Sequence, residues 1–282
     1  MNIHPSALVS PSAIIGPSVR VGPFCVIEDD VSIGDGCILE NHVILKQCTT
    51  LGAHNRVFDG AVLGGLPQHV EMPPNPGRLI IGDNNTIREN VTIHRALRTD
   101  RLTSVGDHCL IMANAHVAHD CTIGSQVILT NNVMLAGHVS VGDRAYLSGG
   151  AAVHQFCRIG SLAMVGGQAH IVKDVPPFVT IDGQSSYVVG LNQIGLKRAG
   201  HPLEVILELK NAYRLIYRSG LIWAEMLDRL RREFTHGLAA QFHPFLSTTT
   251  RGIIPERRLP PGATIKLQPA AENQLRLRYK VG

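Results

Sequence analysis

An aliphatic residue returns every six positions along most of this chain. It stands at Val9, Ile15, Val21, Ile27, Ile33, Leu39, Leu45, Leu51, Val57 and Leu63, then at Ile81, Ile87 and Ile93. From Val105 it recurs without a gap through Ile111, Val117, Ile123, Leu129, Leu135, Val141, Leu147, Val153, Ile159 and Val165 to Ile171. A helix repeats near 3.6 and a half-buried strand at 2, so neither collects these residues on one face. A six-residue period belongs to a solenoid, in which each hexad makes one short strand and one turn. Three hexads close a triangular coil of roughly 18 residues, and successive coils stack at about 4.8 Å with the aliphatic side chains inside. Each coil touches only its neighbours, so the stack is stable where a single coil is not.

Two stretches interrupt the period, 66–78 (LPQHVEMPPNPGR) and 95–104 (RALRTDRLTS). Their Pro, Gly and charged residues predict loops leaving the prism, and loops on such scaffolds often carry function. The period stops at Val175-Pro176-Pro177, which places a β-helical domain at 1–185. A helical domain is expected at 186–255, with helices from His201 onward on the 3.6-type spacing of LEVILELKNAYRLIYR and LIWAEMLDRLRREF. The remainder, 256–282, is rich in proline and basic residues and is expected to be a loosely ordered tail.

Composition narrows the class. Apolar residues are 44% of the chain but aromatics only 5%, so the core must be built from small and branched aliphatic side chains. No run is long enough to span a bilayer, and MNIHPSALVS lacks the basic and apolar segments of a secretory leader, which predicts a cytoplasmic protein. Five of the six cysteines (Cys25, Cys37, Cys109, Cys121 and Cys157) share one phase of the hexad, and there is no CxxC. They read as small buried hydrophobes rather than disulfides or metal ligands. The net charge of +4 is uneven: 15 Lys and Arg face seven Asp and Glu from Lys197 onward, leaving the first 196 residues at −4. A basic helical surface is either simply solvated or a dock for an acidic or phosphate-bearing partner.

The chemistry concentrates in NAHVAHDC (114–121), AGHVSVGD (136–143) and AVHQF (152–156). With the coil as a ruler, His119, Gly137 and Gln155 stack along one corner, with His138 and His154 one residue to either side. Exposed corners could hold polar residues for no chemical reason, although Gly, Asn and Asp fill corners more readily. Imidazoles also bind zinc, as in β-helix carbonic anhydrases, but no pair here has a recognisable ligand spacing and no metal is expected. A neutral imidazole near its ordinary pKa can instead act as general base toward a hydroxyl, with Gly137 offering a bare N–H to an oxyanion one coil away.

These motifs, with MVGG (164–167), GLNQIGLKRAG (190–200), NAYRLIYRSG (211–220) and the TRG at 250–252, resemble in order those of the UDP-N-acetylglucosamine O-acyltransferases. The resemblance runs over roughly 1–253. It implies a left-handed hexapeptide-repeat β-helix and a homotrimer. It also implies transfer of a (3-hydroxy)acyl group from acyl-carrier protein to the 3-hydroxyl of UDP-N-acetylglucosamine, the first step of lipid A biosynthesis. By the same resemblance His119 is the general base, Asp120 its orienting partner and Gly137 the oxyanion donor. Gln68, His116, His138, His154, Gln155, Asn192 and Arg198 hold the substrates, and Gly167 bounds the acyl groove. No separate cofactor is implied, since the acyl group rides on the carrier's phosphopantetheine arm; nucleic acid and integral membrane segments have no place in it. The chain departs from the family pattern in the first loop, at His69 and Glu71, and near Asn192, at Ile194 and Ala199. These positions bear on how the sugar is held and leave as alternatives the same transfer onto a 3-amino analogue or the activity of another hexapeptide-repeat acyltransferase. Outside acyl transfer, the alternative is a zinc hydratase of the β-helix type.

Overall fold

The structure, a computed structural model, describes residues 2–257. Most strands are two residues long, and they stack into three parallel sheets of eleven, nine and eight strands, the faces of a left-handed prism. The strand registers confirm the coil: Val117 pairs with Leu135 and Leu135 with Val153, 18 residues apart each time. Across the interruptions the offset stretches, from Leu63 to Ile93 and from Ile93 to Val117, while the aliphatic ladder stays in phase. The aliphatic column and the small residue four positions after it form one core, in which Leu63, Ile93, Val117, Ala115 and Ala151 have no exposed surface. Burial raises the thiol pKa of Cys109 to about 11 and of Cys121 to about 12, so these groups behave as inert filling.

The corners show a feature the hexad pattern only hints at. The residue three places after the aliphatic one takes a left-handed backbone, as at His54, Asn84, Asn114, Asp120, Asn132 and His138, with φ between 56 and 61°. Asn, Asp and His enter this region more readily than other side-chain-bearing residues. Polar corners therefore serve the fold as well as any chemistry.

Both excursions leave the same corner, between the nine- and eight-strand sheets. They run over 66–77 and 95–101, because Arg78–Ile81 and Leu102–Val105 are strands; the second is shorter than its composition suggests. The coil also outlasts the hexad pattern. Val179–Ile181 stacks on Met164–Val165, and Val188–Leu191 returns antiparallel to it, so the sheet ends near 191 rather than 185. Four helices follow: α1 (Gln193–Arg198), α2 (Leu203–Arg218), α3 (Trp223–Glu233) and α4 (Phe242–Ser247). Helix α1 lies earlier than expected because six residues are too few to show a helical period. A second core of Leu209, Met226, Leu230, Phe242 and Leu246 joins the helices.

The segment after Arg251 packs back on the prism. Ile253 and Glu256 bridge to Asp174 and Val188, and Glu256 accepts from Tyr213 Oη at 2.7 Å and pairs with Arg218 at 2.6 Å. The rest of the expected tail lies outside the described residues. Helices and prism are also joined by Asp174, 1% exposed, which receives Arg158 at 2.7 Å and Thr249 Oγ1 at 2.8 Å. No helix among the described residues is long and apolar enough to cross a membrane.

Candidate active site

The corner carrying the excursions is where the 18-residue ruler placed the histidines. His138 N donates to His119 O and Phe156 N to Gly137 O, which locks His119, Gly137 and Gln155 into one column. The first excursion brings Gln68 and His69 over this column. They line an open cleft of about 690 Å³ with His116, His119, Gly137, His154 and Gln155.

His119 is 7% exposed, and its Nδ1 lies 2.7 Å from Asp120 Oδ2. A carboxylate can only accept here, so Nδ1 carries a proton, and in the neutral imidazole the lone pair is on Nε2. Asp120 is itself held: its Oδ2 accepts from Leu97 N at 3.0 Å, and its N–H donates to Thr103 Oγ1 at 2.8 Å. The second excursion therefore fixes the Asp120 carboxylate. A Cβ on Gly137 would stand 2.8 Å from His119 Cε1 and 2.9 Å from Nε2, so only glycine leaves room for this ring. At the corresponding position elsewhere, the N–H is taken by the residue one coil on: Ala53 by Asp83, Asp83 by Asp107, Ser125 by Asp143. The residue above Gly137 is Gln155, and the Gly137 N–H has no partner among the described residues. An oriented imidazole and an unspent N–H thus face one cleft, a pairing suited to acyl transfer to a hydroxyl.

Further imidazoles surround the pair. His138 lies edge-on to His119, with centroids 5.2 Å apart, and stacks on Phe156 at 4.5 Å. Burial lowers the pKa of His138 against the raising effect of Asp120. His69 is also edge-on to His119, at 5.7 Å, so the departure in the first loop sits against that imidazole. His116 Nδ1 meets Thr92 Oγ1 at 2.8 Å and its ring tilts on His94; burial lowers the pKa of both imidazoles. His94 Nδ1 lies 2.6 Å from Leu66 O and so anchors the root of the first excursion. Sequence reasoning missed His94, Leu97, Thr103 and Phe156. The first three reach the corner across the interruptions, where the ruler loses count. Phe156 carries no chemistry that marks it. Although no metal-ligand spacing exists in the chain, His119, Asp120 and His138 bring ligating atoms within 4.8 Å of one another.

Several expected residues lie elsewhere: Asp120 and His138 line a neighbouring cleft of about 650 Å³ with Arg98, Arg101 and Phe156. Asn192 and Arg198 line a separate cleft of about 780 Å³ on the eleven-strand sheet, with Tyr146, Met164 and Ile194. Both ends of the Asn192 amide are already used: Oδ1 caps Gly195 N–H at 2.9 Å and Nδ2 donates to Leu162 O at 2.9 Å. Gly167 occupies the corner between this sheet and the histidine-bearing one. Its φ is not left-handed, and an added Cβ would meet only Gly149 O at 3.3 Å and Ser148 Cβ at 3.8 Å. A turn requirement therefore does not explain the glycine.

Coil and corner together define a hexapeptide-repeat transferase, and the profile described as bacterial transferase hexapeptide matches 12–47 and 103–137. A profile described as UDP N-acetylglucosamine O-acyltransferase, domain 2, matches 174–254. The acyl-[acyl-carrier-protein]–UDP-N-acetylglucosamine O-acyltransferase of Halorhodospira halophila is 45% identical over 254 residues, covering 89% of this chain and 98% of its own. Among solved structures, the UDP-N-acetylglucosamine acyltransferase of Francisella novicida superposes with a TM-score of 0.87 at 37% identity, covering 91% of this chain and 95% of its own. That of Moraxella catarrhalis does so with 0.87 at 39%, covering 90% and 100%. The chain belongs to the UDP-N-acetylglucosamine O-acyltransferase family.

Proposed function

We propose that this chain transfers a (3-hydroxy)acyl group from acyl-carrier protein to the 3-hydroxyl of UDP-N-acetylglucosamine, the first step of lipid A biosynthesis. The observation that carries the reading is the Asp120–His119 pair beside the unspent Gly137 N–H. His119 Nε2 takes the proton of the sugar hydroxyl as its oxygen attacks the thioester carbonyl. The oxyanion rests on Gly137 N–H, and Asp120 stabilises the imidazolium. Collapse expels the pantetheine thiolate, which takes the proton back from His119. No cofactor beyond the carrier's arm enters this scheme. Gln68, His116, His154 and Gln155 hold the sugar, diphosphate or pantetheine from the same cleft, and His138 does so from the neighbouring one that it lines with Asp120.

The working form is a cytoplasmic homotrimer. One corner cannot enclose both a nucleotide sugar and an acyl chain. A neighbouring prism that presents its Asn192 and Arg198 cleft supplies the second wall, and closed cyclic assembly is the usual solution for a soluble protein. Gly167 then lies at the edge of the shared groove and leaves it open for a long chain. The test is a panel of acyl-carrier proteins against UDP-N-acetylglucosamine and its 3-amino analogue, read by mass spectrometry. The expected product is the 3-O-acyl ester; acylation of the amine alone would replace this acceptor, and no acylation of either would overturn the reading.

A further inference from the structure

His119, Asp120 and His138 come from two adjacent coils and meet at one corner, yet acyl transfer uses no metal. Their ligating atoms lie within 4.8 Å of one another. His119 Nδ1 is 2.7 Å from Asp120 Oδ2, and His138 Nε2 is 4.0 Å from the same oxygen. A tetrahedral zinc ion with bonds of 2.0–2.2 Å separates its ligand atoms by about 3.3 Å. The two spacings to the carboxylate lie on either side of that value and the third, between the imidazoles, is within 4.8 Å, so side-chain rotations have to draw the three together. Two imidazoles and a carboxylate form a donor set suited to zinc, with a fourth position left open. Asp120 is largely buried and fixed by Leu97 N–H, while His138 is pinned between His119 and Phe156. The set is therefore largely preorganised.

We propose that His119, Asp120 and His138 form an inhibitory binding site for a divalent transition metal of the zinc class. The inhibition follows from the tautomer. In the metal-free pair the proton on Nδ1 faces Asp120 and Nε2 is the base. Zinc takes the Nδ1 lone pair and replaces that proton in front of the carboxylate. The displaced proton moves through solvent to Nε2, the imidazole remains neutral, and no net proton is released. Nε2–H cannot accept the hydroxyl proton, so transfer stops. Magnesium, which prefers oxygen ligands and holds its water, should not enter.

The inhibitory half rests on the proposed acyl transfer; the binding half does not. Calorimetric titration of the full chain with zinc chloride should show one site per chain. It should weaken by at least about tenfold in Asp120→Asn and in His138→Asn. Asparagine keeps the left-handed backbone at both positions, with φ 59° and 61°, so the fold is retained. His42→Asn, at a remote corner, should bind zinc as the wild type does. Zinc should then inhibit acyl transfer over the concentration range in which it binds, and magnesium should not. Absence of binding, or equal binding in both corner variants, overturns the site. Binding without inhibition overturns the tautomer argument. Binding to a chain with no acyl transfer in zinc-free buffer leaves the site standing and removes the proposed function.

Discussion

Gly137→Ala separates the two parts of the active corner. The substitution keeps the backbone N–H that would receive the oxyanion, and Gly137 is not in the left-handed region, so alanine fits the backbone. What it cannot keep is the ring. The new methyl would sit 2.8 Å from His119 Cε1 and 2.9 Å from Nε2, against an ordinary contact of about 3.5 Å. The imidazole must retreat by roughly 0.7 Å, which disturbs its 2.7 Å contact with Asp120. Misplacement by about 1 Å removes on the order of 10²-fold in rate, so a loss of roughly 10- to 10²-fold in kcat is expected. That corresponds to about 1.4–2.7 kcal/mol of barrier. Stability should change little, because crowding of about 1 kcal/mol is offset by the ~0.4–1 kcal/mol that a Gly→Ala change returns through the unfolded chain. The assay is steady-state acyl transfer beside a thermal melt. A variant with wild-type kcat and an unshifted Tm would show that the ring does not depend on Gly137 and would refute the argument.

His119→Ala should lower kcat by ~10²–10⁴-fold while circular dichroism and sedimentation remain those of the wild type. Gly167→Met should shorten the preferred acyl chain with only a small fall in Tm, since the backbone there is not left-handed and the added Cβ would crowd only Gly149 O, at 3.3 Å; an unchanged length profile, read by mass spectrometry, would remove its groove role. Arg158→Ala leaves the buried Asp174 carboxylate without its cation and should cost about 3–5 kcal/mol, read from the urea midpoint. His94 and His116 are held below the unfolded histidine pKa of about 6.5 by burial. Their neutral burial contributes stability that is complete above that pKa and is lost as pH falls through the lower folded values. The melting temperature should therefore drop on acidification below about pH 6.5, less steeply in His116→Asn.

The prism was legible from the chain alone because its core is written in one dimension. Each coil buries the same hexad phase, so Val117, Leu135 and Val153 announce their stacking by spacing, and His119, Gly137 and Gln155 follow from the same count. Local physics suffices where contacts repeat at constant separation. The ruler failed wherever the separation changed. Thr103 meets Asp120 across an interrupted coil, Leu97 reaches Asp120 and His69 reaches His119 from the excursions, and His94 ties down a loop root. The hexad could not show that Asp120 and His138 sit in left-handed turns, or that these turns bring two imidazoles and a carboxylate within ligating distance. It also could not show that Asn192 and Arg198 face away from the histidines. Each of these depends on where side chains from distant segments converge, and convergence is set by how the coils close in space.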